Sequence, residues 1–169
     1  MSKSSKEIRS KVTSHGFIEI SIENVDVPVP NDDEVLIKVC AAPINPSDLG
    51  LLISFAADLS SISVSGSGDQ TVTSIKIHPG LVKTMKSRVD QSMPVGNEGA
   101  GIVINAGANA KQLIGKTVSL AGGSMYSQHR CVPASNCLVM EEGITPAEAA
   151  SSFVNPLTCL LYTSDAADE

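Results

Sequence analysis

The segment Glu34 to Ala42 (EVLIKVCAA) limits this chain more than any other. It is apolar on both faces, the pattern of a strand covered on both sides. It cannot be extended in either direction. Val27-Pro28-Val29-Pro30-Asn31-Asp32-Asp33 before it is a Pro-rich turn with no room for a central strand. Pro43 to Asp48 breaks it on the other side, where Pro46-Ser47-Asp48-Leu49 can open a short helical turn.

The rest of the chain repeats this style of short, interrupted strand. Ile8 to Val12 and Phe17 to Ile22 alternate around Ser14-His15-Gly16, which predicts a hairpin. Residues 54–92 are less regular. Ser60 to Asp69 is rich in Ser and Gly and reads as irregular. Thr71 to Ile77 alternates and predicts a strand, and Leu81, Val82, Met85 and Val89 stand at helical spacing. Short strands follow at Ile102 to Ile104, Gly115 to Leu120 and Leu138 to Met140, with Gly122-Gly123 as a turn before Met125 to Val132. Thr145-Pro146-Ala147-Glu148 is a helix start with a capping Thr, Pro at the first helical position and Glu three residues on, so a helix over Pro146 to Phe153 is expected. Many short strands with Gly and Pro turns predict a mainly β, small-barrel fold. No strand–helix series predicts a parallel sheet.

Composition narrows the function classes. The 169 residues carry a net charge of −6, and the basic residues are scattered, which argues against a nucleic-acid partner. Aromatic residues are 3% with no Trp, so the core is Val, Ile, Leu and Ala, and stacking platforms for single strands are excluded. No apolar run reaches a membrane span, and no secretory signal is visible. Cys40, Cys131, Cys137 and Cys159 form no C-x-x-C pair and no zinc-finger spacing, and predict reduced thiols in a cytoplasm.

The ending is unlike the rest. Residues 159–169 (CLLYTSDAADE) match the conceptual translation of a transposon-adapter sequence used in DNA library preparation. They are expected to be an adapter-derived scar on a chain whose natural sequence runs past Thr158. A genuine acidic terminus is the alternative.

Local motifs alone establish no reaction. Gly96 to Gly101 (GNEGAG) has its glycines at first, fourth and sixth places and opens a strand rather than a helix, so it is not a dinucleotide fingerprint. It reads as a tight turn where backbone passes close to another strand. Asn45 before a helical turn reads first as a cap. His15, His78 and His129 lack ligand-spaced partners, and there is no G-x-S-x-G and no Walker loop.

The order of the pieces says more. EVLIKVCAAPINPSDLGLL, then PVGNEGAGIVINAG, then GKTVSLAGGSMYSQHRCVPASNCLVMEEGITPAEAASSFVNPLT resembles the medium-chain dehydrogenase/reductase superfamily. The match covers its N-terminal, GroES-like half, from about residue 7 to Thr158, and is most like the zinc-independent quinone oxidoreductases and enoyl-thioester reductases. Zinc-dependent members carry a Cys where this chain has Asn45 and a His where it has Asn97. Amides are poor zinc ligands, and Glu98 alone does not hold a site, so the resemblance implies no metal.

The resemblance implies a GroES-like, partly open barrel over residues 1–158, with a crossover helix beginning at 146–158 and the Rossmann domain absent from this chain. It implies Asn45 and Asp48 as catalytic-site residues at the nicotinamide end of a cleft, and Asn45, Asn155 and Thr158 as cofactor contacts. The cofactor implied is NADPH or NADH, bound mainly by the missing Rossmann domain, with no zinc. A full-length parent would be a cytoplasmic homodimer passing hydride to a quinone or other conjugated carbonyl, with a small-molecule substrate and no nucleic-acid or membrane partner. The fragment alone is expected to be inactive. Enoyl-thioester reductases use a tyrosine shortly after the NPSD block, and Leu49 to Phe55 has none. Tyr126 reads as a packing aromatic. A stand-alone GroES-like interaction module is the reading of another class.

Overall fold

The computed structural model describes residues 4–53 and 57–165. The hairpin forms as β1 (Ser4–Val12) and β2 (Phe17–Asp26), longer than the alternation alone required, in antiparallel register from Ser4 opposite Asp26 to Val12 opposite Ile18. The apolar run is β3 (Glu34–Ala41), followed by α1 (Pro46–Leu52). Next come β4 (Ala57–Ser65), β5 (Val72–Ile77), α2 (Pro79–Val82), β6 (Ser92–Pro94), β7 (Glu98–Ala106), β8 (Thr117–Ala121), β9 (His129–Pro133), β10 (Leu138–Val139), α3 (Pro146–Ala149) and α4 (Val154–Asp165).

The strands make two five-stranded sheets, ordered β4-β5-β2-β1-β6 and β10-β8-β7-β3-β9, with every strand pairing antiparallel. The fold is thus mainly β with a few short helices, and the sheets do not close into one barrel. β3 lies between β7 and β9; its two faces are both covered only over Val35, Leu36 and Ile37, while Lys38 and Cys40 are exposed. The sheets are joined where Ile8 N–H donates to Tyr126 O at 2.8 Å and Gln128 N–H to Lys6 O at 2.9 Å.

Each sheet buries its own core. Val35, Ile37, Val103, Val118, Leu120, Met125 and Val132 pack in one cluster, and Val12, Ile18 and Ile77 in another. Ala149 and Ala150 pack on Ala100 of β7, where small side chains let the helix approach the sheet closely. The glycines beside Ala100 do the same for β3. A Cβ on Gly101 would lie 2.1 Å from Lys38 O, and one on Gly99 2.8 Å from Ala41 O. The GNEGAG segment is therefore a close backbone approach, as its spacing implied.

Three expectations are corrected. The Ser-rich stretch from Ser60 forms most of β4, because β5 presents a ready ladder and the serine hydroxyls bond to it. Ser61 Oγ, for instance, accepts from Lys76 N–H at 2.8 Å. The helical spacing after Leu81 yields only α2 and a 3-10 turn over Lys83–Arg88, interrupted at Met85 (φ −100°, ψ 18°). The helix expected over Pro146 to Phe153 stops at Ala149, and a new one starts at Val154. Thr145 caps it as expected, accepting from Glu148 N–H at 3.3 Å. No helix among the described residues is long and apolar enough to cross a membrane.

Candidate functional site

The break between α3 and α4 has an identifiable cause. Oε2 of Glu98 accepts from Phe153 N–H at 3.0 Å and Val154 N–H at 2.9 Å, so one carboxylate from β7 caps the start of α4. Glu98 is wholly buried. Its other oxygen, Oε1, accepts from Asn45 Nδ2 at 2.9 Å. Asn45 is only 4% exposed, and its Oδ1 receives Asn155 Nδ2 at a long 3.4 Å. Residues 45, 98 and 155 thus meet at one point, from three elements.

Asp48 holds this point from the α1 side. It is fully buried, and its two oxygens accept from the backbone N–H groups of Asn45 and Asn97, each at 2.8 Å. The first contact is half of a capping box at the start of α1. The second ties α1 to the turn before β7. Asn97 Nδ2 donates to Ser47 Oγ at 2.9 Å, which closes the same seam. Thr158 lies one turn into α4. It is exposed, and its Oγ1 donates to Val154 O at 2.6 Å.

The structure therefore brings Asn45, Asp48 and Asn155 together and places Thr158 beyond them on the open face of α4. Asn45 is more than a cap, because its amide also reaches inward to Glu98. The helix reaches Asp165 without a break at residue 159.

Glu98 and Tyr126 carry more of the site than their sequence signals suggested. Tyr126 donates its hydroxyl to Pro43 O at 2.9 Å and packs against Gly96, where a Cβ would lie 2.6 Å from Tyr126 N. Burial and the neighbouring Asp48 carboxylate push its phenol up to about 12. Tyr126 also lines an open, largely apolar cavity of about 520 Å³ with Ile8, Ile22, Ala42, Ile44 and Met125. The position of Gly96 before Glu98 was the one available signal, since a glycine there makes room for an aromatic. Among the described residues, no three His, Cys, Asp or Glu side chains gather as a metal-ligand set.

The fold is one shared with solved quinone reductases and quinone oxidoreductases. No family model matches the chain. A quinone oxidoreductase from Coxiella burnetii superposes with a TM-score of 0.62 at 20% identity, over 96% of this chain and 45% of its own. The human synaptic vesicle membrane protein VAT-1 homolog-like protein gives 0.65 at 16%, over 99% and 45%. An Etr1p mutant in complex with NADP and crotonyl-CoA gives 0.61 at 17%, over 98% and 44%. The likeness is one of fold, and this chain spans less than half the length of each of these structures.

Proposed function

We propose that residues 1–158 form the substrate-side wall of a two-domain, NAD(P)H-dependent oxidoreductase that reduces a quinone or another conjugated carbonyl without zinc, and that a Rossmann domain completes it. The observation that carries this reading is the Asn45–Glu98–Asn155 junction at the start of α4, in a fold shared with a quinone oxidoreductase and an enoyl reductase.

The residues fit the nicotinamide end of a dinucleotide. Two amides and the Thr158 hydroxyl stand near the start of α4, while both local carboxylates, Asp48 and Glu98, are fully buried and turn no charge outward. When bound, the nicotinamide supplies the hydride. Asn45 touches the ligand, Asn155 and Thr158 orient it, and Asp48 positions Asn45 from behind. The largely apolar cavity beside Ile44 and Tyr126 takes the body of the substrate. The parent protein is proposed to be a cytoplasmic homodimer.

A second reading, enoyl-thioester reduction, is favoured by the Etr1p likeness and opposed by the lack of a tyrosine over Leu49 to Phe55. The test is to read the source DNA past the Thr158 codon, purify the full-length protein and follow NADPH oxidation with quinone, enone and enoyl-thioester acceptors. Turnover should occur, and Asn45→Ala should lower kcat/KM by about 10–100-fold while leaving the fold intact. A full-length protein that oxidises NADPH with none of these acceptors would refute the proposal. So would turnover by the 169-residue chain alone, because the proposal places most of the cofactor site elsewhere.

A further inference from the structure

The polarity of the Asn45 amide can be read from its neighbours. An ionised carboxylate only accepts hydrogen bonds, and a backbone N–H only donates. Oε2 of Glu98 is occupied by the N–H groups of Phe153 and Val154, which cannot turn around. Oε1 faces Asn45 and takes its Nδ2 at 2.9 Å. The Asn45 carbonyl oxygen is then left pointing at Asn155, whose side chain is exposed and whose contact, at 3.4 Å, is long for a hydrogen bond. That contact is easily exchanged for a better one.

We propose that Glu98 is a positioning residue that fixes the Asn45 amide with its oxygen outward, so that this subsite receives a hydrogen-bond donor, a hydroxyl or an amide N–H. The inference rests on the reading that Asn45 faces a ligand. A conjugated carbonyl offers no such donor and is excluded from this point. The donor must come from the dinucleotide, through a carboxamide N–H or a sugar hydroxyl, and the substrate carbonyl is held elsewhere.

The orientation can be tested on the 169-residue chain without any activity. In ¹⁵N-Asn-labelled protein, the Asn45 side-chain amide should exchange at least about tenfold more slowly than that of exposed Asn24. Glu98→Gln is nearly isosteric, but the new carboxamide must keep its oxygen on the two backbone donors and offer its own NH₂ to Asn45. That turns the Asn45 amide over and exchanges its bond to a carboxylate for the long contact with Asn155, so its protection should fall below the parent's. Asn45→Asp sets a carboxylate against Glu98 and should lower stability, whereas the double variant Asn45→Asp/Glu98→Gln should recover it. An unprotected Asn45 amide, or an Asn45→Asp variant as stable as the parent, would overturn the orientation.

The donor preference is tested by titrating the chain to saturation with nicotinamide mononucleotide, which carries both the carboxamide N–H and the sugar hydroxyls, and with methyl nicotinate, which carries neither. Nicotinamide mononucleotide alone should shift the Asn45 signals. Shifts from both compounds, or from neither, overturn the donor subsite. A full-length protein with no reductase activity would refute the proposed function without touching the orientation result.

Discussion

Asn45 and Glu98, 53 positions apart, are joined by a 2.9 Å bond between Nδ2 and Oε1, and both side chains are buried. The contact links the start of α1 to β7. Through the second oxygen of Glu98 it also links both to the start of α4. One carboxylate thereby sets the relative position of three elements.

Glu98→Ala removes the acceptor for three N–H donors at once. Buried donors without partners cost roughly 1–3 kcal/mol each, with some relief where water reaches the α4 backbone. The expected loss is about 2–4 kcal/mol in urea unfolding, together with faster amide exchange at Phe153 and Val154. A loss under about 1 kcal/mol would show that the junction is not structurally important.

Gly101→Ala places a methyl group 2.1 Å from Lys38 O and 2.8 Å from Ile37 Cγ2, both on β3. The strands must separate, and a loss of about 3 kcal/mol is expected. Gly115→Ala serves as the comparison. It meets no atom within 4 Å but has φ +82°, so only backbone strain of about 1 kcal/mol applies. Thermal melts of the two variants should rank in that order.

Burial pushes the Cys131 and Cys137 thiols up to about 11, and Glu34 adds to the effect at Cys131. Compared with a thiol at the usual 9.0, the thiolate fraction of each near pH 8 is about 100-fold lower. Iodoacetamide should therefore modify exposed Cys40 and Cys159 first, as read by peptide mass spectrometry. Equal rates at all four thiols would contradict the partial burial of Cys131 and Cys137.

Tyr126 titrates near 12 rather than 10.0, with burial the larger cause and Asp48 the second. A raised pKa in the folded state means that folding holds the proton more tightly. The associated stability is complete below pH 10 and is lost as pH rises from about 10 to 12. The two partly buried thiols act in the same direction from about pH 9 to 11. Urea midpoints should fall steadily above about pH 9. In a Tyr162→Phe background, phenolate absorbance should appear only near pH 12, and an appearance near 10 would contradict the packing of Tyr126.

Local pattern was enough to find the elements whose residues decide their own conformation. The hairpin of β1 and β2, the strand β3, the Thr145 cap and the Gly99 and Gly101 approach were all legible, because alternation, capping and lack of a side chain act over a few residues. β4 was not, since a serine-rich stretch becomes a strand only when a partner such as β5 supplies the ladder. Nor was the division of the last helix, because its cause is a carboxylate 55 residues away.

The same line runs through the candidate site. The sequence by itself placed amides at positions 45, 97 and 155 and carboxylates at 48 and 98, and only its resemblance to a family singled out Asn45, Asp48, Asn155 and Thr158. Only the tertiary structure decided that Asn45 and Asn155 meet, that Asp48 and Glu98 are both buried, and which end of the Asn45 amide faces out. Residue type is written in the chain, but the polarity of an amide is set by its neighbours, and folding alone brings those neighbours together.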